Sequence, residues 1–540
     1  MKHRELWYKH AVIYCLDVET FFDGNNDGVG DFPGLITRLD YLQSLGVTCL
    51  WLLPFYPTPN RDNGYDVMDY YGVDPRLGTL GDFTEFVYLA RERGMRVLID
   101  LVINHTSIEH PWFQAARKDK NSPYRDFYLW SKKKPKDADE GMVFPGVQKT
   151  TWTYDDAAGE YYFHRFYEHQ PDLNISNPHL QEEIRRIIGF WLQLGVSGFR
   201  VDAAPFIIEM KGIDGAKETH QFDYLNDFRH FATWHRGDAI LLAEANVEMK
   251  KIEQYYGDGD RLHMLFNFML NQHVWLALAK QDARPIYKGI KKPPQITTRG
   301  QWSNFLRNHD ELDLGRLSDK DREFVFDQFA PKKNMQLYER GIRRRLPPML
   351  NGDRRRMEMA YSLMFSFPGT PVLWYGEEIG MGDDLDQKER NSVRTPMQWS
   401  SEKNGGFSQA DKLIRPVIST GDFAYEKVNV LAQDRDDQSF LNWLRNLIAT
   451  RNESPEFGYG TWEVIEVKAK SVFAHCCEWG GGKVIALHNL ADEPVTVTLE
   501  DASGEMWFDL LHEHTPLKAN PNVIELDGYG YRWFRVGRKG

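Results

Sequence analysis

The chain has 540 residues, 42% apolar and 27% charged, with a formal net charge of −12. That mixture excludes disordered, collagen-like and fibrous chains, and the acidic balance offers nothing to nucleic acid or an anionic membrane. At ~150 residues per domain the length fits three or four domains, or one large barrel with attachments.

The start, from Met1 to Lys9, is basic and polar without an apolar stretch, so no signal peptide is expected. The first apolar run, 13–18, reads as a strand. Leu35, Leu39, Leu42 and Leu45 then recur at helical spacing, Gly46 stops them, and 47–53 is the second strand. Thr79 and Asp82 are spaced as a capping box before the stripe Phe83, Phe86, Val87 and Ala90. Gly94 closes that helix and 97–102 is the third strand. From about 105 to 174 the chain turns polar and aromatic, with a charge run at 131–141, and reads as an inserted subdomain. Asn177 and Pro178 open the next helix, striped by Leu180, Ile184, Ile187, Ile188 and Trp191. Strands at 198–201, 240–243, 264–266, 303–306 and 371–374 bring the number to eight. Repeated apolar strands alternating with amphipathic helices specify a parallel sheet covered by helices, and eight of them suggest a (β/α)8 TIM barrel. The arginine clusters 343–345 and 354–356 read as solvated helical faces beside Glu339 and Glu358. From about 458 the helical period vanishes and short alternating runs such as 484–487 and 495–499 indicate an all-β C-terminal domain.

Cys15, Cys49, Cys476 and Cys477 form neither a disulfide framework nor a zinc spacing. No stretch of ~18 apolar residues is present to span a membrane. A soluble, reduced, cytoplasmic protein is the expectation.

Catalytic side chains of a barrel emerge from the C-terminal ends of its strands. Asn104 and His105 follow the third strand; Arg200 and Asp202 close the fourth. Glu244 follows the fifth, and Asn308, His309, Asp310 and Glu311 follow the seventh. One such carboxylate would read as a helix cap. Three on one rim, with Arg200 two residues before Asp202 and His309 beside Asp310, suit glycosidic cleavage. That reaction needs one carboxylate to attack the anomeric carbon and a second carboxylic acid to protonate the leaving oxygen. Arg200 is expected to keep Asp202 ionised, and Glu244 needs a raised pKa to hold its proton near neutrality.

The strips 100–106, 170–174, 198–202, 308–310 and 369–377, with Glu244 and its apolar lead, resemble the α-amylase superfamily, glycoside hydrolase family 13, in order and over essentially the whole chain. The resemblance implies the barrel (1–104 and 175–457), an inserted domain B (105–174) and a C-terminal antiparallel β-sandwich (458–540). It also implies that Asp202 is the nucleophile, Glu244 the general acid/base and Asp310 the transition-state stabiliser. Arg200, His105 and His309 would surround the sugar at the cleavage point; Tyr65 would stack on it and Asp66 bind its hydroxyls. Within the superfamily, Asn308 to Glu311, the run 341–348 and Val393 to Trp399 are similar to the trehalose synthases, which interconvert maltose and trehalose. In that group residues matching Glu311 and Arg394 help close the site around the second sugar. The remaining readings are an α-glucosidase or transglucosylase and, remotely, a catalytically inactive scaffold. The expected partner is a small oligosaccharide or disaccharide, with no nucleic acid and no membrane; a homo-oligomer stays open.

The loop from Asp23 to Asp31 places oxygen donors at alternate positions, as Ca²⁺ prefers, but lacks the closing Glu of an EF-hand. The resemblance implies a structural Ca²⁺ or Mg²⁺ on Asp23, Asn25, Asp27, the Val29 carbonyl and Asp31. It implies a second site on Asn104, Asp172 and Glu209, and no organic cofactor.

Overall fold

The structure is a computed structural model and describes residues 4–208, 221–291, 296–499, 505–512 and 523–538. Eight strands close a barrel: β1 (Ile13–Leu16), β2 (Cys49–Leu52), β3 (Arg96–Leu101), β4 (Gly198–Val201), β5 (Ile240–Ala243), β6 (Met264–Phe266), β7 (Gln301–Asn304) and β8 (Thr370–Trp374). Each pairs in parallel with its sequence neighbours, and β1 closes on β8 with Cys15 opposite Trp374. Strands covered on both faces need no polar alternation, which is why β1, β2 and β5 are apolar at nearly every position and buried throughout.

The strand at β7 begins two residues before the expected 303–306 run. Its buried polar groups explain the shift. Gln301 donates to the carbonyls of Lys9 and Gly458, and Asn304 accepts from Asn267. Satisfied in this way, polar residues can occupy a barrel interior that hydropathy alone would deny them.

The covering helices start as their sequences dictate. Thr79 and Asp82 exchange both capping-box bonds. Asn177 accepts from the backbone of His179 and Leu180 ahead of the helix Pro178–Gln193. The expectation for the first arginine cluster is overturned. Arg345 is buried and donates to the carbonyls of Tyr375 and Val393, tying the loop before helix Arg354–Ser366 to the segment after β8. In the second cluster Arg354 pairs with Glu358 one turn on.

Between β3 and β4 the chain builds a small antiparallel sheet of Trp130–Ser131, Trp152–Asp155 and Glu160–Phe163, with the last strand central. The excursion closes at its base, where the Leu173 N–H donates to the Asn104 carbonyl at 2.8 Å. The chain finishes in a five-stranded antiparallel sheet, ordered Thr461–Val464, Val472–Trp479, Gly482–Asn489, Tyr531–Arg538, Glu505–Asp509. A pair, Val495–Thr498 with Val523–Leu526, shares a core with one face of it through Leu487, Val497, Ile524 and Phe534. The other face lies on helix Arg354–Ser366, where His488 meets Ser362 and His475 meets the Ser366 carbonyl.

Candidate active site

A cavity of about 480 Å³ opens at the C-terminal ends of the barrel strands. Asp202, Glu244 and Asp310 line it together, brought from the ends of β4, β5 and β7 by barrel closure. Tyr65, His105 and Glu311 line it as well, so six of the sequence-derived site residues meet on its wall.

Arg200 organises the floor. Its Nη1 lies 2.7 Å from Asp202 Oδ1 and 3.1 Å from Asp100 Oδ1, and its Nη2 bonds Glu244 Oε2. Tyr65 donates its hydroxyl proton to Asp100 Oδ2 at 3.0 Å and accepts from Arg200. His309 Nε2 lies 2.8 Å from that hydroxyl and 3.1 Å from Asp310 Oδ2. With the Tyr65 proton committed to Asp100, the ring nitrogen is the donor to both; this network assigns the tautomer.

These contacts separate the carboxyls. Burial pushes Glu244 up to about 8; Arg200 pulls it down, while Asp202, Asp310 and Glu311 oppose that pull. Its side chain remains 27% exposed, towards the cavity. Burial also pushes Asp202 above the ordinary carboxylate range, and Arg200 does not reverse it. Arg200 does lower Asp202, as its place in the sequence predicts, but burial outweighs it. One guanidinium is divided among Asp100, Asp202 and Glu244, and Asp310 and Asp62 add negative charge. Asp310 goes the other way. Burial would raise it, yet His309, Arg390 and Arg394 hold it well below the usual range. Burial pushes His309 itself down to about 4, so the ring is neutral at pH 7. It therefore contributes a hydrogen bond, and the two arginines supply the charge: Arg390 Nη1 and Arg394 Nη2 each lie 2.8 Å from Asp310 Oδ1. Next to Asp202, Ala203 sits at φ +50°, a left-handed conformation that strains a residue with a Cβ.

Two expected residues, Asp66 and Arg394, stand off the cavity wall. Asp66 is fully buried and faces its own loop, accepting from the backbone of Arg61 and Asp62 and from Thr58. The aspartate of that loop on the cavity wall is Asp62, which Gln170 and Arg390 hold at 2.9 and 2.8 Å. Arg394 is also fully buried; it supports Asp310 and the His309 carbonyl from behind, and the arginine that both lines the cavity and reaches Asp310 is Arg390. Glu311, on the wall, pairs with Arg340 at 3.4 Å.

Sequence reasoning gave no role to Asp62, Asp100, Arg340 or Arg390. Asp100 carried a signal, since its side chain ends inside the barrel among Trp51, Tyr65 and Arg200. For Arg390, on the segment Glu389–Val393 after β8, no spacing pointed to the site.

In the Asp23–Asp31 loop, Asp23 accepts from Asn25, Asn26 and Gly28, and the Asn25 and Asp27 oxygens each cap the N–H two residues on. Asp31 Oδ1 accepts from Gly34, whereas its buried Oδ2 has no hydrogen-bond partner. Of the second expected set, Asn104 and Asp172 bond each other at 3.3 Å, and Glu209 lies outside the described residues. Among the described residues no three His, Cys, Asp or Glu side chains converge on one point as a metal centre.

The α-amylase catalytic domain matches residues 16–460, and the sucrose hydrolase-like C-terminal domain matches 481–535. The chain is 45% identical to the trehalose synthase of Thermus thermophilus over 90% of its own length, spanning half of that relative. It is 40% identical to the trehalose synthase/amylase TreS of Mycolicibacterium smegmatis, covering 98% of this chain and 92% of that one. Among solved structures, the trehalulose synthase MutB from Pseudomonas mesoacidophila MX-45 superposes with a TM-score of 0.78 at 26% identity, over 98% of this chain and 99% of that one. An inactive double mutant of MutB, in complex with isomaltulose, gives a TM-score of 0.79 at 26% identity over the same shares.

Proposed function

The chain belongs to the α-amylase family, glycoside hydrolase family 13, as a trehalose synthase-like enzyme, and from that premise we propose that it interconverts maltose and trehalose through a covalent glucosyl–Asp202 intermediate. Asp202 attacks the anomeric carbon while Glu244 gives its proton to the departing glycosidic oxygen. The freed glucose then turns in the cavity. Its 1-hydroxyl attacks the glucosyl carbon, Glu244 takes back the proton, and Asp202 leaves as a carboxylate; re-attack by the 4-hydroxyl restores maltose. The observation that carries this reading is the shared guanidinium. Asp202 and Glu244 are bonded to the two Nη atoms of one Arg200, which supports a nucleophile and an acid acting together on one glycosidic bond, as in retaining enzymes. Glu244 at about 8 is poised as the acid, and Asp310, held ionised by two arginines, suits the positive charge that grows on the sugar.

Maltose incubated with the purified protein and followed by NMR is expected to give a trehalose signal well ahead of glucose. Asp202→Asn should lose about 10⁴-fold or more of the activity. Glucose without trehalose would overturn the isomerase and leave an α-glucosidase. The second reading, hydrolysis or transfer from short α-glucosides, draws support from the outer mouth of the cavity, where Glu248, Lys251 and Arg316 line it and water has a route in.

We propose that the Asp23–Asp31 loop takes a structural Ca²⁺, its carboxylates drawing together on binding, since among the described residues no three of them converge on one point. The donor set is all hard oxygen, and the unpartnered Asp31 Oδ2 suits a cation. Asp23, Asn25, Asp27, the Val29 carbonyl and Asp31 would hold it, and it would brace the loop rather than enter the reaction. The four cysteines are free and buried, which supports a reducing, cytoplasmic setting. Among the described residues no helix is long and apolar enough to cross a membrane.

A further inference from the structure

Three loops from separate parts of the chain meet above Asp310. The inserted domain supplies Phe144 and Tyr167, the hairpin after β7 supplies Tyr338, and the segment after β8 supplies Glu389 and Arg390. Tyr167 and Tyr338 both donate to Glu389 Oε2, each at 2.5 Å, and their hydroxyls are 3.2 Å apart. Burial pushes both phenols up, so both remain protonated donors. The Phe144 ring stacks on Tyr167 and packs on Tyr338, at centroid distances of 4.7 and 4.6 Å. The Arg390 guanidinium lies 5.0 Å from the Phe144 centroid while its two Nη atoms reach Asp310 and Asp62.

The backbone is strained at the same place. Tyr338, Glu339 and Glu389 have φ of +52°, +60° and +44°, conformations that favour glycine. Such strain, of order 1–3 kcal/mol per residue, persists only where the surroundings hold it, and it clusters at functional sites.

We propose that Tyr167, Tyr338 and Glu389 form a strap joining the inserted domain to the barrel, and that it positions Arg390 over Asp310 and Asp62 and sets how often the glucosyl–enzyme is captured by sugar rather than by water. This rests on the covalent intermediate proposed above. The strap residues are positioning residues: they act through Arg390 and through the closure they impose. In the intermediate, the glucosyl–Asp202 ester breaks when a hydroxyl oxygen, from sugar or from water, bonds to the anomeric carbon and yields its proton to Glu244. The two outcomes differ only in which oxygen is present, so a looser closure favours water.

The test uses 4-nitrophenyl α-glucoside as donor with added glucose as acceptor, and reads the ratio of transfer product to released donor glucose by NMR with isotopically labelled donor. Wild type is compared with Tyr338→Phe, Tyr167→Phe/Tyr338→Phe and Glu389→Gln. The expected result is a tenfold or greater fall of the ratio in the double variant and in Glu389→Gln, with Tyr338→Phe intermediate, because one phenol still holds Glu389. A purely structural role would lower both products together and leave the ratio alone. A ratio within twofold of wild type in all three variants overturns the strap while the wild-type transfer upholds the intermediate. A wild type that releases 4-nitrophenol but never transfers, or does neither, brings down the strap together with the isomerase.

Discussion

The protonation pattern around Arg200 has a direct kinetic consequence. Attack requires Asp202 ionised, and its carboxyl is raised above the ordinary ~3.9, so kcat/KM should begin to fall, as pH drops, at a higher pH than a free aspartate would dictate. Protonation of the leaving oxygen requires Glu244 neutral, so activity should fall as pH rises through about 8. Both carboxyls share one guanidinium, so the two limbs report apparent values of the pair. A variant separates them. With 4-nitrophenyl α-glucoside the leaving group needs no proton, so in Glu244→Gln the alkaline limb of kcat/KM should vanish while the acid limb stays. An alkaline limb that survives in Glu244→Gln would assign it to another group, and Glu244 would not be the acid. Asp202, Glu244 and Asp310 were legible as single letters at strand ends. What was not legible is which carboxyl keeps its charge, because that depends on Arg390, and Arg390 reaches Asp310 from a loop 80 positions away in the chain.

Elements differ in how fully local sequence determines them. The helix Pro178–Gln193 and the capping box at Thr79 follow from side chains that bond their own backbone neighbours, so the sequence contains both partners. Strand β7 and the buried Arg345 do not, since their polar groups are satisfied by Lys9, Gly458, Tyr375 and Val393, all distant in sequence. The loop Asp23–Asp31 lies between. Its turn bonds are local, but Ser408 also donates to Asp23 from far along the chain. If this loop holds Ca²⁺, chelation should lower Tm by about 2–5 °C and added Ca²⁺ should restore it, the response of a ligand bound only to the folded state. Asp31→Asn keeps the oxygen that caps Gly34 and replaces the unpartnered one with an amide. It should fold and lose the response to Ca²⁺. A wild-type Tm indifferent to both chelator and Ca²⁺ would leave the loop as a self-capped turn.

At the scale of the whole molecule, barrel and C-terminal sheet are joined through buried histidines, an arrangement that hydropathy patterns cannot show because histidine is neutral to them. His475, fully buried in strand Val472–Trp479, contacts the Ser366 carbonyl through Nε2 at 2.8 Å, while its Nδ1 has no partner. Nε2 is therefore the protonated nitrogen, and a second proton on Nδ1 would put an unpaired charge into the seam. Burial accordingly pushes the ring from 6.5 down to about 4. The folded value lies below the unfolded one, so the unfolded chain binds a proton first as pH falls. The contribution of neutral His475 is fully present above pH 6.5 and is lost progressively down to about pH 4. That interval corresponds to about 3 kcal/mol at most. Other buried groups titrate in the same window, so the measurement is a difference: unfolding of wild type and His475→Gln between pH 7.5 and 4.5. The variant should be the less stable at pH 7.5, and the gap should narrow steadily as the pH falls, since glutamine can still donate to Ser366 but cannot take up a proton. A gap that stays constant across the range would mean that His475 titrates alike in both states and that the seam tolerates its charge.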